Sequence, residues 1–347
     1  MFRRIAWIGL IMAVLLACAS AAAAESFYEG KTVKIVSVHA PGGGYDTYSR
    51  LFARHLGNHI PGKPKVIVIN IPGGSGLIGT NYVYNVTKPD GLTVVQPSWN
   101  LAQAQFLNFP GIKYDVNKFI WLGLANAGPV TAVVRKGSPI QSMDDWLNPD
   151  TKTLIFGCTS RNSPTCSIPL AMNDIFGPKT SKIVSGYRGT APIRAALLQK
   201  EVDAVTGWSW DSVKSTGMSM IDEGEAKIIA YIGEERHPEL EERKVPYLNP
   251  RVTKAADIAF MKVLMLPAAM LRPWAVPPGT PKDKVQILQS AFDNTLKDPA
   301  FLADAKRARL DINPKSGEYL VNLMNDMKKR MTPEIISRAR KIIGLDK

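Results

Sequence analysis

A strand that runs straight into a glycine-rich turn and then a helix is the feature that most constrains this fold. Residues 33–38 are rich in β-branched apolar side chains, which suits a strand covered on both faces. Residues 42–44, all glycine, follow almost at once. We predict that Asp46 caps the next helix and that Gly57 ends it.

The same pattern occurs a second time. Residues 66–69 form another apolar strand, residues 72–76 form another glycine-rich turn, and a helix is predicted from about Leu77. Glycine leaves the backbone N–H groups at a helix N-terminus unshielded, and such groups bind anions. Because the ends of neighbouring parallel strands meet at one crevice, the two turns predict a single anion-binding cleft.

The length of 347 residues suggests roughly two domains. Strand and helix signals alternate over 25–127 and again over 128–235, which predicts parallel strands with right-handed crossovers. The charged, turn-rich segment 234–245 is predicted to lead back to the first domain, which 236–347 completes. We therefore expect an α/β protein with two lobes, each a mostly parallel sheet flanked by helices.

The returning segment carries its own signals. Residues 261–266 are predicted to form a strand, and residues 273–279 are predicted to form a loop. Residues 280–283, Thr-Pro-Lys-Asp, should open a helix with a cap, an N1 proline and an early acid. The densest basic run, at 328–330, is predicted to be a solvated helix face.

The first 24 residues read as a secretory signal. Arg3 and Arg4 precede an apolar run, and small residues lead to a cleavage site after Ala24. Cleavage before Cys18, as in a lipoprotein, is the alternative. Either cleavage predicts an exported, periplasmic protein and lowers the net charge from +13 to +11, because both arginines are removed. Basic residues do not cluster with aromatic ones, so nucleic acid is not an expected partner.

Two enzyme classes have weaker support. Residues 74–79 fit G-x-G-x-x-G after a strand, but the companion acid of a dinucleotide site is missing. Ser75 lacks the last glycine of a nucleophile elbow. An exported hydrolase or a dinucleotide-dependent enzyme that uses the glycine-rich turns is therefore the alternative function, and no cofactor is expected.

Histidine and cysteine spacing leaves one question open. His55 and His59 lie four apart, but Leu56 stands where a zinc protease has glutamate, so we predict solvent-facing histidines and no metal. Cys158 and Cys166 bracket a polar loop that follows a predicted strand. They could form a disulfide in an oxidising compartment or could be two free thiols, and the sequence favours neither.

Polar and aromatic side chains follow the strands of the second domain. The loop 159–165 carries hydroxyls, an amide and Arg161, while residues 187–189 and 208–211 follow later strands. Such groups at strand ends can bind a small ligand. The alternative places Trp208 and Trp210 in the core and leaves Arg188 as a surface charge.

Several short motifs span nearly the whole chain after residue 24. They are Ala40-Pro41-Gly42-Gly43 with Asp46 and Arg50, Asn70 to Gly76 with Ile78-Gly79, Pro89-Asp90-Gly91, Gly186-Tyr187-Arg188-Gly189, Ala191-Pro192, Leu197-Leu198, Glu201-Val202-Asp203 and Pro277 to Pro281. In these motifs the chain resembles the Bug family, the extracytoplasmic solute receptors of tripartite tricarboxylate transporters.

The resemblance implies a Venus-flytrap protein that holds a small organic carboxylate between its lobes and delivers it to the membrane permease subunits. We also expect a monomer, and a transport receptor needs no catalytic group. The common carboxylate seat would comprise Gly43, Gly44, Tyr45, Asp46, Ser75 and Gly76. The side that selects the rest of the ligand would comprise Thr159, Ser160, Asn162, Arg188 and Asp211.

Two departures from the family pattern leave the ligand open. The loop of the second domain is usually glycine-rich in the family, and here it holds Arg161 between two cysteines. Residues 186–188, Gly-Tyr-Arg, replace a more usual Tyr-Lys. One strand–helix set interrupts the other, so we also predict a hinge at two crossings, near 124–129 and within 231–263.

Overall fold

The computed structural model describes residues 27–150, 152–177 and 181–346. The predicted signal over residues 1–24 lies outside the described residues, and so does Cys18. The described residues form two sheets flanked by helices. We call each sheet, with its helices, a lobe.

The first sheet comprises β1 (Thr32–Ser37), β2 (Lys65–Asn70), β3 (Thr93–Gln96), β4 (Ile120–Leu124), β10 (Pro273–Val276) and β11 (Lys315–Ser316). The second comprises β5 (Val130–Arg135), β6 (Leu154–Cys158), β7 (Ser181–Ser185), β8 (Ala204–Ser209) and β9 (Ala226–Ile232). Their strand orders are β11-β4-β10-β3-β1-β2 and β7-β6-β8-β5-β9. Along the chain, the strands of the second sheet all follow β4 and precede β10. The second lobe is therefore inserted into the sequence of the first.

The helices are α1 (Gly44–His55), α2 (Leu77–Asn85), α3 (Leu101–Phe106), α4 (Met143–Leu147), α5 (Pro164–Phe176), α6 (Thr190–Leu198), α7 (Trp210–Thr216), α8 (Met218–Asp222), α9 (Pro238–Glu242), α10 (Ala255–Met265), α11 (Lys282–Thr295), α12 (Pro299–Arg307), α13 (Gly317–Arg330) and α14 (Pro333–Ile342). Within the described residues, none of them is both long and apolar enough to cross a membrane.

Both sheets are mixed, and in each of them four strands run in the same direction, so the expectation of mostly parallel strands is confirmed. β1 is parallel to β2 and β3, whereas β10 is antiparallel to β3 and β4. β5 is antiparallel to β8 and β9, whereas β6 is parallel to β7 and β8. The chain enters β5 and β10 from the edge that faces the other lobe. These strands therefore run opposite to the strands that end at that edge.

The returning segment was assigned wrongly from its sequence. Residues 261–266 belong largely to helix α10, and Pro273–Val276, predicted as a loop, form the buried strand β10. A short apolar run has no period that separates a buried strand from a buried helix, and this ambiguity explains the error. Thr280 donates its hydroxyl to Pro277 O at 2.8 Å instead of capping α11.

An aromatic cluster holds β10 in the first lobe. The Phe52 ring lies 4.3 Å from the Trp274 ring, 4.9 Å from the Phe301 ring and 5.4 Å from the Phe292 ring, centroid to centroid. All four side chains are buried. Aromatic pairs at these separations add to the free energy gained by burying their area. The cluster thus joins α1, β10, α11 and α12.

We expect Phe52→Ala to lower the free energy of unfolding by about 3–5 kcal/mol, because it leaves a cavity between three rings. Urea unfolding followed by tryptophan fluorescence would measure the change. Val86→Ala provides the control, since Val86 is 65% exposed and should change the free energy by about 0.5 kcal/mol or less. Equal losses for the two variants would contradict this account of the core.

Candidate functional site

A cavity lies between the lobes, where β1 and β3 of the first sheet and β6 and β8 of the second end. Its volume, taken as the space open to the centre of a water molecule, is about 50 Å³. The first lobe lines it with His39, Ala40, Gly43, Gly44, Tyr45, Ser75, Trp99, Leu271 and Arg272. The second lobe lines it with Thr159, Ser163, Pro164, Thr165, Gly189, Thr190, Gly207, Trp208, Ser209 and Ser212.

Three of the longer helices begin at this cavity. α1 begins at Gly44, α5 at Pro164 and α6 at Thr190, and all three residues line the wall. The first N–H groups of a helix have no partner within it, and the helix dipole adds partial positive charge there. The three N-termini therefore give the cavity a positive potential from neutral groups, which favours an anion.

The lobes touch closely at the start of α1. A Cβ placed on Gly43 would lie 3.2 Å from Thr190 Oγ1, and one placed on Gly44 would lie 2.5 Å from Ser212 Oγ. The backbone N–H of Ala40 also donates to the carbonyl of Arg188 at 3.0 Å. The first glycine-rich turn is thus bare because the second lobe packs directly against it.

Asp46 has a different role from the predicted helix cap. Gly43 is the N-cap, and it makes no side-chain cap. The Asp46 carboxylate instead accepts from Gly42 N at 2.9 Å, Arg50 Nε at 2.9 Å and Asn70 Nδ2 at 3.0 Å. Burial opposes its ionisation, but these bonds outweigh burial and lower the pKa of Asp46. Asp46 therefore holds the turn together and does not line the cavity.

The loop 159–165 of the second lobe is held by bonds among its own hydroxyls. Thr165 Oγ1 accepts from Thr159 N at 3.0 Å and lies 2.6 Å from Ser163 Oγ. Ser163 Oγ donates to Ser160 O at 2.7 Å. Across the cleft, Thr159 Oγ1 donates to Ser75 Oγ at 3.3 Å. The hydroxyls thus shape one wall and connect it to the second glycine-rich turn.

A buried ion pair between Arg272 and Asp211 closes the back of the cavity. Arg272 Nε and Nη2 donate to the two carboxylate oxygens at 3.1 and 3.0 Å, and the side chains are 2% and 1% exposed. Nη2 also donates to Ser209 Oγ at 2.9 Å. The guanidinium lies 4.7 Å from the Tyr45 ring centroid and 4.8 Å from that of Tyr48. Asp211 therefore already neutralises the positive charge that Arg272 brings to the cavity wall.

The pair keeps both of its charges. Burial by itself would raise the pKa of Asp211, but the charge of Arg272 and hydrogen bonds from Ser209, Tyr48 and Asn126 outweigh burial and lower it. Burial would lower the pKa of Arg272, and the Asp211 charge more than reverses this effect. Both residues are therefore ionised in the folded protein at neutral pH.

His39 and Tyr45 form the aromatic side of the cavity. Their rings are 4.5 Å apart, and the Tyr45 hydroxyl accepts from Trp99 N at 2.9 Å. Burial, together with the Arg272 charge, lowers the pKa of His39 from 6.5 to about 4. His39 is therefore a neutral imidazole at neutral pH.

Five of the predicted binding residues lie in the cavity wall and six do not. The wall contains Gly43, Gly44, Tyr45, Ser75 and Thr159. The other six are Asp46, Gly76, Ser160, Asn162, Arg188 and Asp211. Gly76 has a φ of +91°, and a Cβ there would lie 2.6 Å from Val38 Cγ2. Its glycine therefore serves the packing of the second turn against the residue that follows β1.

The selective side predicted in the second lobe is mostly turned away from the cavity. The Arg188 side chain is exposed, and Ser160 and Asn162 hydrogen-bond each other. Asp211 acts on the wall through Arg272. Arg161, which had no predicted role, donates to the carbonyl of Ile343 at the end of α14.

Sequence reasoning missed Arg272, His39 and Trp99. Arg272 precedes β10, whose residues were predicted to form a loop, so nothing in the sequence pointed from Arg272 to the cleft. His39 stands just before the first glycine-rich turn, and that position was the available signal. Trp208, for which a ligand contact and a core role were both considered, is buried and also lines the cavity.

The cysteines and the histidine pair have structural roles. Cys158 and Cys166 are free, buried thiols, and Cys158 Sγ donates to Thr165 O at 3.1 Å. His55 and His59 are not solvent-facing as predicted, because they bond Asp304 and Asp298 at 2.8 and 2.9 Å. In the part of the chain that the structure describes, no three His, Cys, Asp or Glu side chains are grouped to hold a metal.

Two α/β lobes that meet over a cavity form the fold of periplasmic binding proteins, and solved structures confirm this fold. BugD, a periplasmic binding protein, is 22% identical with a TM-score of 0.71, over 91% of this chain and 98% of that one. MatC from Rhodopseudomonas palustris, solved with bound malate, is 21% identical with a TM-score of 0.67, over 90% of this chain and 99% of that one. An R. palustris protein solved with adipate is 19% identical with a TM-score of 0.70, over 90% of this chain and 97% of that one.

The family follows from the sequence. Residues 52–340 match the TctC family, described as the tripartite tricarboxylate transporter family receptor. This match covers more than half of the chain, so the protein belongs to that family, as the motifs predicted. A search of curated proteins found no significant match.

We expect acid to weaken the protein through Asp211. The pKa of Asp211 is lower folded than unfolded, so its stabilisation is complete above the unfolded value of about 3.9 and is lost as pH falls through the folded value. Asp211→Asn should cost about 3–5 kcal/mol at pH 7 by leaving Arg272 unpaired, and should flatten the acid dependence. Urea unfolding at a series of pH values measures both effects.

The matched control is Asp144→Asn, whose carboxylate pairs with Arg251 at the surface with its side chain 70% exposed. It should change the free energy of unfolding by about 1 kcal/mol or less at neutral pH. An acid dependence that is equally steep in wild type and Asp211→Asn would contradict the role given to the buried pair.

Proposed function

We propose that the protein is an exported receptor that captures a small organic carboxylate between its lobes and delivers it to the membrane permease of a tripartite tricarboxylate transporter. The observation that carries this proposal is the meeting of three helix N-termini at one cavity. Their N–H groups suit a carboxylate. Arg272 and Asp211 already neutralise each other, so the helix N-termini supply the positive potential that attracts the carboxylate.

Known relatives support the ligand class. MatC was solved with malate and another R. palustris protein with adipate, and both ligands are dicarboxylates. The cavity of about 50 Å³ suits a molecule of that small size. We place the carboxylate at Gly43, Gly44 and Thr190, where two helix N-termini face each other. The signal over residues 1–24 supports export to the periplasm.

We infer that the protein catalyses no reaction on its ligand. Ser75 Oγ accepts from Thr159 Oγ1, and among the described residues no imidazole or carboxylate is hydrogen-bonded to it. The glycines of the G-x-G-x-x-G stretch serve close packing. A Cβ on Gly79, for example, would lie 2.6 Å from Ile71 O. Neither an activated nucleophile nor a dinucleotide site is supported by these contacts.

We infer that the lobes close by a hinge at 124–129 and 231–263, with residues 25–127 and 236–347 moving against 128–235. β4 ends at Leu124 and β5 begins at Val130, so the first crossing is short. Asn126 in this crossing donates to Asp211 at 3.3 Å. The crossing therefore contacts the ion pair that closes the back of the cavity.

We expect the purified protein to bind at least one small mono-, di- or tricarboxylate in calorimetric titrations and to return it unchanged after prolonged incubation. The helix N-termini supply the affinity, and among the described residues of the wall no base is hydrogen-bonded to Ser75. Small-angle scattering on the same samples should show a smaller radius of gyration with saturating ligand. Chemical conversion of the ligand, or binding of no carboxylate, would refute the proposal.

We expect Gly44→Ala to weaken carboxylate binding at least tenfold. Its Cβ would lie 2.5 Å from Ser212 Oγ and 2.8 Å from Arg272 Nη2, so the lobes could not meet over the ligand. Gly43→Ala is the matched comparison and should cost less, because its nearest neighbour is Thr190 Oγ1 at 3.2 Å. Wild-type affinity in Gly44→Ala would show that the lobes need not close here.

A further inference from the structure

A chain of hydrogen bonds runs from the cavity to the contact between the lobes. His39 Nε2 lies 3.3 Å from Ser98 Oγ, and Ser98 Oγ lies 2.7 Å from Asn100 Oδ1. Asn100 Nδ2 lies 3.1 Å from the carbonyl oxygen of Asn162 in the second lobe. Ser98 and Asn100 are only 1% and 2% exposed, so their polar atoms need hydrogen-bond partners inside the fold.

The direction of each bond in this chain is fixed. The carbonyl of Asn162 can only accept, so the Asn100 amide nitrogen must face it, and the Asn100 oxygen must face Ser98. That oxygen also only accepts, so Ser98 gives it its one hydroxyl proton. Ser98 Oγ then has no proton for His39. His39 Nε2 must therefore carry the hydrogen and donate it to Ser98.

The other ring nitrogen of His39 is left bare. A neutral imidazole carries one N–H, and its second nitrogen is an acceptor. His39 is neutral because burial and the Arg272 charge lower its pKa to about 4. Since Nε2 holds the hydrogen, Nδ1 is an unprotonated acceptor on a ring that lines the cavity. Among the described residues, no hydrogen bond to Nδ1 is found.

We propose that His39 selects the ligand by offering this bare nitrogen to a hydrogen-bond donor, so that the preferred cargo is a carboxylate that also carries a hydroxyl group. The inference rests on the proposed function and specifies the class of carboxylate. A carboxylate with only alkyl carbon next to His39 leaves the acceptor without a partner once the lobes exclude water. Such a buried, unpaired acceptor costs binding free energy.

His39 discriminates in a way that the rest of the wall does not. The cavity hydroxyls, such as those of Ser75, Thr190 and Ser212, can rotate to donate or to accept, so they tolerate either partner. The tautomer of His39, in contrast, is fixed by the hydrogen bonds from Nε2 to Ser98 and from Ser98 to Asn100. A site built to bond a hydroxyl group rejects the analogue that lacks it far more strongly than a hydrophobic pocket rejects one methylene.

The experiment compares pairs of carboxylates that differ by one hydroxyl group, by calorimetric titration at pH 7.5. The pairs are succinate with D- and L-malate, glutarate with D- and L-2-hydroxyglutarate, propanoate with D- and L-lactate, and benzoate with 3-hydroxybenzoate. In at least one pair, the wild-type protein should bind the hydroxylated member at least tenfold more tightly.

Two variants connect this preference to His39. His39→Phe keeps a ring against Tyr45 but has no acceptor, so the preference should fall to about threefold or less, because the member without the hydroxyl no longer leaves an acceptor unpaired. Ser98 does not line the cavity. Its replacement by alanine removes the hydrogen-bond partner of His39 Nε2 and lets the imidazole change tautomer. It should therefore also reduce the preference, by a smaller factor than His39→Phe.

Nitrogen-15 NMR of the imidazole tests the tautomer without any ligand. The spectrum at pH 7.5 should show His39 with Nδ1 unprotonated and Nε2 protonated, and the Ser98→Ala spectrum should show a mixture. A protonated Nδ1 in the wild type would overturn the inference, and so would equal binding within every pair. Failure of every carboxylate to bind would overturn the proposed function and this inference with it.

Discussion

The ion pair between Arg272 and Asp211 is the interaction on which the site depends. Arg272 stands at the start of β10 in the first lobe, and Asp211 lies in the first turn of α7 in the second. Burying two charges costs several kcal/mol, and only good geometry offsets that cost. Here a two-point contact, Ser209, Asn126 and two tyrosine rings supply it. Gly44 then packs directly on the guanidinium.

Neutralising Arg272 decides how the cavity can hold an anion. A free arginine there would bind a carboxylate as a counter-ion, but Arg272 could do so only by leaving Asp211 buried and unpaired. The attraction comes instead from helix N-termini and hydroxyls, which are directional and carry no net charge. The choice of ligand therefore depends on where donors and acceptors stand, and a neutral imidazole can matter as much as a charge.

The local part of this architecture could be predicted from sequence, and the long-range part could not. The strand, glycine turn and helix around residues 33–57 follow from neighbouring residues, and so does the use of Gly43 and Ser75 in the cavity wall. Arg272 and Asp211 are 61 residues apart, and no local pattern links them. β10 was missed for the same reason, since its burial between β3 and β4 is a property of the folded sheet.

The closed set of hydroxyl bonds in loop 159–165 has a consequence for how such receptors can acquire new ligands. Thr165 bonds Thr159 and Ser163, and Ser163 bonds Ser160. A single replacement at Thr165 therefore disturbs two partners, and an exchange of the whole loop must also keep its bonds to Ser75, Asn100 and Ile343. A new ligand at this wall therefore requires several coupled replacements and not a single one.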